Sequence, residues 1–341
     1  MMLFIQKGRE VPLLSVLLLS VFVFGSAGGF DMDHYLGSEY KGNYVWGLAM
    51  NLAWNELGEN ILHGKPKLKT DDKIAIRMVD QLNDAPFTKN DLDEKSYYIK
   101  SWYGQKTVDL INQESRAKFP DKSFGDLRLS LGPRDIIAYA YFLKKVEYLT
   151  QFKEKDVLFL DKRVKGFYAS DVRKRNNICI LKYWDDDKFI IALRLKEDGD
   201  ELILAKGFGM SHPKEALDGI DQFNQEVPSS MNDEDQFEMP KLHLDHDRDY
   251  AELSGKFLAN KGFEEYFIAR MFEKIKFDLD HKGARVESEA VIVGPTAMPQ
   301  RPKIRRFILD KPFWVVMKRR GRPYPYFVLG VRNTELMGKA G

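Results

Sequence analysis

Three groups of side chains in this sequence have the chemistry to build a site. His243 and His246, with Asp245 and Asp247 beside them, bring together the imidazoles and carboxylates that commonly hold zinc. However, the alternation of Lys241-Leu-His-Leu-Asp245 predicts a strand, and the odd offset puts the two histidines on opposite faces. They do not converge on one ion, and no metal is expected. Trp184-Asp-Asp-Asp187 gathers three carboxylates at a turn, where Asp is favoured for its local backbone hydrogen bonds. Cys179 is the one cysteine, so no internal disulfide forms. Its setting, Ile178-Cys-Ile180, is an apolar strand and reads as a buried, inert thiol. His34, His63, His212 and His281 are scattered in polar contexts. There is no Gly-x-Ser-x-Gly, no Walker loop, no Cys–His pairing and no Gly-x-Gly-x-x-Gly after a strand. The chain therefore reads as a non-enzyme with no cofactor.

The remaining chemistry is that of a bait. Gly283-Ala-Arg-Val-Glu-Ser-Glu-Ala-Val-Ile-Val-Gly294 reads as a strand and runs into the Pro-broken stretch from Pro295 to Pro302. Before it lies the alternating strand Ile275-Lys-Phe-Asp-Leu279. After it come two apolar strands, Phe313-Trp-Val-Val-Met317 and Tyr326-Phe-Val-Leu-Gly-Val331. A strand-like segment with a breakable tip between committed strands is suited to presentation to a protease.

The elements that must hold this segment follow from pattern. Tyr44–Leu57 reads as an amphipathic helix, Ile74–Leu82 as a short one and Tyr97–Lys118 as another. Asp135–Tyr148 is apolar throughout and reads as either a central strand or a buried helix. Strands are expected at 157–160, 164–168, 177–183, 189–195 and 202–205, and a helix at Pro213–Phe223. The acidic run Asp233-Glu-Asp235 reads as a surface loop. Asp249 is placed to cap a helix over Tyr250–Ala259, with Gly262 at its stop. The fold class is α+β, with helices concentrated in the N-terminal half and packed on mostly antiparallel sheets.

The chain has 341 residues, of which 44% are hydrophobic, enough for a sizeable core. Lys plus Arg number 53 against 51 Asp plus Glu, so charge balance gives no general case for nucleic acid. Locally, Lys318, Arg319, Arg320 and Arg322 form a candidate polyanion patch; the alternative is a set of solvated strand ends. At the start, Lys7 and Arg9 precede an apolar run from Val11 to Phe24 and the small residues Gly25-Ser-Ala-Gly-Gly29. That is the order of a signal peptide over residues 1–28, cut at Ala27 or Gly28, and it points to a secreted, periplasmic or extracellular protein. A retained membrane anchor is the alternative.

Residues 237–337 resemble the C-terminal part of a serpin. Phe237-Glu-Met-Pro-Lys-Leu-His-Leu followed by Asp249-Tyr-Ala-Glu-Leu is similar to that family's proline-lysine strand and the helix after it. Gly262-Phe-Glu-Glu-Tyr-Phe267 follows in order. Ile275–Gly283 resembles the long main-sheet strand ending at a hinge glycine, Phe307–Met317 the strand after the reactive loop, and Phe327-Val-Leu-Gly-Val331 the final strand. The family's Phe-Ser-Pro-x-Ser segment is missing from the N-terminal half. The resemblance implies one serpin-like domain over 38–337 with an exposed reactive loop, acting as a monomer on a serine or cysteine protease. Membrane contact is implied only if the N-terminal segment is retained.

By that resemblance, cleavage of the loop would free a strand to insert into the main sheet. The inward positions would be Ala284, Val286, Ser288 and Ala290 after the hinge Gly283, and the outward ones Arg285, Glu287 and Glu289. The scissile-bond candidates are Ala297, Met298 and Arg301. Arg301 precedes Pro302, which disfavours cleavage there and favours an elastase-like or chymotrypsin-like target. The alternative is a non-inhibitory serpin fold serving as a binding or structural module, its segment an ordinary edge strand.

Overall fold

The structure, a computed structural model, describes residues 2–7, 30–32, 41–122, 124–197, 199–223, 228–284 and 304–340. Along the chain, β1 (Met2–Lys7), β2 (Phe30–Met32) and β3 (Asn43–Gly47) precede α1 (Ala49–Glu56). Then come β4 (Leu68–Lys69), α2 (Lys73–Asp84), β5 (Tyr97–Tyr103), α3 (Gln105–Lys118), β6 (Ile136–Phe142) and β7 (Val146–Glu147). The strands β8 (Lys153–Phe159) and β9 (Lys162–Tyr168) lead to α4 (Val172–Arg175), β10 (Ile178–Asp185), β11 (Lys188–Leu193), β12 (Asp200–Lys206) and α5 (Pro213–Asp221). Last are β13 (Ser229–Ser230), β14 (Gln236–Pro240), β15 (Leu242–Asp249), β16 (Phe257–Leu258), β17 (Tyr266–Leu279), β18 (Gly283–Ala284), β19 (Arg306–Ile308), β20 (Phe313–Arg319) and β21 (Pro325–Val331).

Two compact units result. The first comprises residues 1–28, 47–143 and 247–274. Its sheet runs β4-β16-β17-β1-β6-β5, with β15 also paired to β17. α1 packs on β1, β5 and β6, and α3 on β5 and β6. Met2 shares a core with Val108, Ile111, Phe119, Ile137, Tyr139 and Tyr141. α2 forms as its pattern requires: Asp72 accepts from the Ile74 and Ala75 amides, and Ala75, Met78, Val79 and Leu82 make one buried stripe.

The second unit comprises residues 29–46, 144–246 and 275–341. It holds the sheet β13-β10-β11-β12-β20-β21-β3-β2, a four-stranded sheet β19-β14-β9-β8, and the pair β18-β7. Phe152, Phe167 and Phe237 cluster with Tyr148 in its core. Lys206 is buried, and its ammonium donates to the Ile308 carbonyl at 2.9 Å and to Asp310 at 2.6 Å. That pairing offsets the cost of its desolvation.

Several expectations from the sequence need correction. Tyr44 opens in β3, and the helix starts only at Ala49. Tyr97–Lys118 is a strand and a helix, divided at Gly104, whose φ of +73° no helix accommodates. Asp135–Tyr148 takes the strand alternative. No helix follows Asp249, because its carboxylate goes to Arg270 in two bonds of 2.7 and 2.8 Å and residues 250–255 turn instead. In the acidic run only Asp233 and Glu234 are exposed; Asp235 is buried. Cys179 is half-buried, and the Arg194 Nε donates to its sulfur at 2.9 Å. The late strands and the helix at Pro213 form where expected.

Candidate reactive-loop hinge

The long strand β17 ends in a tight turn. The Asp280 side chain accepts from the Lys282 amide at 2.8 Å, and Asp280 and Gly283 form an antiparallel bridge. Gly283 then pairs with Glu147 and Ala284 with Val146, as β18 on β7. Gly283 has φ +136°, a region almost closed to side chains. A Cβ there would lie 2.6 Å from the Val146 carbonyl oxygen and 2.7 Å from the Glu147 Cα. The sequence thus places glycine where backbone must approach backbone.

The turn is held from several sides. The His281 carbonyl accepts from the Phe152 amide at 2.8 Å. The His281 ring lies 3.2 Å from Glu154, which also bonds Lys241. Burial pushes the His281 imidazole below its ordinary value; Lys241 and Lys282 act in the same direction, while Asp280 and Glu154 oppose them. Burial also pushes the Tyr148 phenol well up, with Asp280 adding to it. On β15, His243 Nδ1 sits 2.5 Å from Asp278. This pairing uses His243 locally, and no metal-ligating group of three or more is present among the described residues. A cavity of about 620 Å³ borders the hinge, lined by Lys165, Lys241, His243, Asp278, Lys282 and Gly283 among others.

Arg305 is anchored on the four-stranded sheet. Its amide and guanidinium both bond the buried Asp235 carboxylate, at 3.0 and 2.6 Å. The next residues, β19, pair in parallel with β14.

Of the residues singled out in the sequence, Gly283 and Ala284 form β18, paired with β7. Val286, Ser288, Ala290, Ala297, Met298 and Arg301 lie outside the described residues. Lys318 is buried and paired with Asp221 at 2.9 Å, whereas Arg320 and Arg322 are exposed.

One sheet strand escaped the sequence reading. Met2–Lys7 forms β1, paired antiparallel to both β17 and β6. Met2 faces Phe272 on one side and Tyr139 on the other, and Leu3 faces Met271 and Ala138. Met2, Leu3 and Ile5 are buried, and Lys7 reaches Glu265 at 2.8 Å. The apolar run Val11–Phe24 lies outside the described residues. Among those described, no helix is long and apolar enough to cross a membrane.

No family model matches the sequence, and no curated protein matches it. Solved structures do. Mouse protein-Z dependent protease inhibitor is similar at 13% identity and TM-score 0.52, over 86% of this chain and 91% of that one. The Manduca sexta serine protease inhibitor Serpin-12 is similar at 11% identity and TM-score 0.50, over 89% and 95%. This chain has the serpin fold. Human glycosylated kallistatin agrees, at 13% identity and TM-score 0.50 over 85% and 91%. The α+β expectation and the resemblance stated for residues 237–337 therefore hold at the level of fold. In the sheet β4-β16-β17-β1-β6-β5, β1 lies between β17 and β6.

Proposed function

We propose that the protein is a serpin-fold protease inhibitor whose bait runs from Gly283 to Pro302. The observation that carries this reading is the hinge. A 14-residue strand ends in a turn whose glycine has no room for a side chain, and the following residue already begins a new antiparallel pairing. On this reading, cleavage lets the residues after Ala284 continue that antiparallel pairing, and the added strand releases stored energy. The target is a serine or cysteine protease, of elastase-like or chymotrypsin-like preference. The protein acts as an exported monomer, with no cofactor and no catalytic residues of its own.

A second reading has a specific observation in its favour. β1 stands between β6 and β17, so the main sheet is closed along that length. A closed sheet suits a non-inhibitory, binding or structural serpin fold. The test is incubation of the full chain, and of a Leu3→Asp/Ile5→Asp variant that releases β1, with elastase-, chymotrypsin- and trypsin-type proteases. An SDS-stable complex with either form supports inhibition. Clean cleavage between 294 and 302 with no complex in both forms favours the second reading.

A further inference from the structure

The acidic run after α5 follows an exposed serine. β13, Ser229–Ser230, is the edge strand of the eight-stranded sheet, and both serines are exposed. Asp233 and Glu234, three and four residues after Ser230, are exposed too, while Asp235 is buried and bonded to Arg305. Ser230 pairs with Cys179 on β10, and Cys179 pairs on its other side with Ala192 on β11. Cross-strand partners share a face, with Cβ atoms about 5 Å apart. Arg194 lies two residues beyond Ala192, so the strand period returns it to that face. Its Nε donates to the Cys179 sulfur at 2.9 Å. Arg194 is exposed and has no ion pair among the described residues. Sulfur accepts weakly, so this guanidinium still has capacity for a strong acceptor. The Arg305 Nη2 donates to the Ser230 carbonyl at 3.3 Å. Ser230 thus presents an exposed hydroxyl with carboxylates after it in the chain and guanidinium groups beside it.

We propose that Ser230 is a phosphorylation site for an acid-directed protein kinase, and that its phosphate docks on Arg194. The exposed Asp233 and Glu234 supply the charge pattern that a kinase with a basic substrate cleft selects. In the transfer, Ser230 Oγ bonds the γ-phosphorus of a nucleoside triphosphate. The bond to the nucleoside diphosphate breaks, and the hydroxyl proton goes to the kinase's base. The product carries about two negative charges and three strong acceptor oxygens. It draws the Arg194 guanidinium away from the Cys179 sulfur, because a charge-assisted bond to phosphate is the stronger one. The phosphate then ties the two-residue edge strand β13 across β10 to the end of β11. Ser229 does not serve this docking: its partner on β10 is the buried Ile180, on the opposite face. The inference does not depend on the inhibitor reading.

The test treats the folded full chain with ATP and a casein-kinase-type, acid-directed serine kinase, and maps phosphate by mass spectrometry. One phosphate is expected in the full chain and in Ser229→Ala, and none in Ser230→Ala. Asp233→Asn/Glu234→Gln should slow incorporation at least about tenfold. No incorporation, or incorporation that survives Ser230→Ala undiminished, would overturn the site. Docking is read from the second phosphate pKa by phosphorus NMR, ordinarily about 6. It should lie at least about half a unit lower in the phosphorylated parent than in phosphorylated Arg194→Gln, since the guanidinium favours the dianion. The same titration in both would overturn the docking on Arg194.

Discussion

Met2 stands directly opposite Phe272 in the main sheet, although nearly the whole chain separates them. The contact joins the start of the sequence to the long strand β17. Leu3 and Ile5 beside it are fully buried. Leu3→Ala should therefore cost about 2–5 kcal/mol, read as a lower guanidinium midpoint with unchanged slope. A loss below about 0.5 kcal/mol would mean that β1 adds nothing to the fold.

The hinge glycine admits no substitute. Gly283→Ala should cost about 1–3 kcal/mol, because its Cβ meets the Val146 carbonyl and the φ is closed to alanine. The loss should be local, with faster hydrogen exchange in β7 and β18. Unchanged exchange there would contradict the close approach.

Asn51 in α1 is fully buried, and neither its amide nitrogen nor its oxygen has a hydrogen-bond partner among the described residues. Asn51→Leu should raise stability by about 1 kcal/mol in a chemical melt, since it removes two unmet polar groups at similar volume. A destabilised variant would argue for a partner that holds this amide.

His281 should make the hinge sensitive to acid. Its folded value lies below the unfolded one, chiefly through burial. The folded state thus binds fewer protons between the two values, and stability falls as pH drops below about 6.5 towards the folded value. Above that range the residue contributes no pH dependence. Comparing melts at about pH 8 and about pH 5.5, His281→Gln should lose less than the parent chain. Equal losses would remove His281 from the account.

Asp235 anchors the chain at Arg305. Its carboxylate is buried and receives both the Arg305 amide and guanidinium. Asp235→Ala should cost about 3 kcal/mol, since it leaves the partly buried Arg305 unpaired. A cost near that of a surface substitution, about 0.5 kcal/mol, would show the bond to be dispensable.

What could be read in the sequence was what local pattern determines. The β-branched runs at 189–193, 202–205 and 313–317 announced strands because each is apolar on a short period and bounded by turns. Gly283 takes φ +136° in the turn after β17, a geometry that the sequence alone does not announce. The misreadings share one cause, a partner far away in sequence. Asp249 looks like a helix cap until Arg270 claims its carboxylate. Tyr98 and Trp102 fit helical spacing, but their backbone pairs with Tyr141 and Ile137 in β6. Asp235 sits in an acidic surface run, yet Arg305 draws it inside.

The most direct measurement is thermal melting before and after cleavage between residues 294 and 302, in the full chain and in the Leu3→Asp/Ile5→Asp variant. A protease inhibitor that gains a strand on cleavage should rise by roughly 5–10 °C or more in at least one form. An unchanged or lower melting temperature in both would contradict the inhibitor reading.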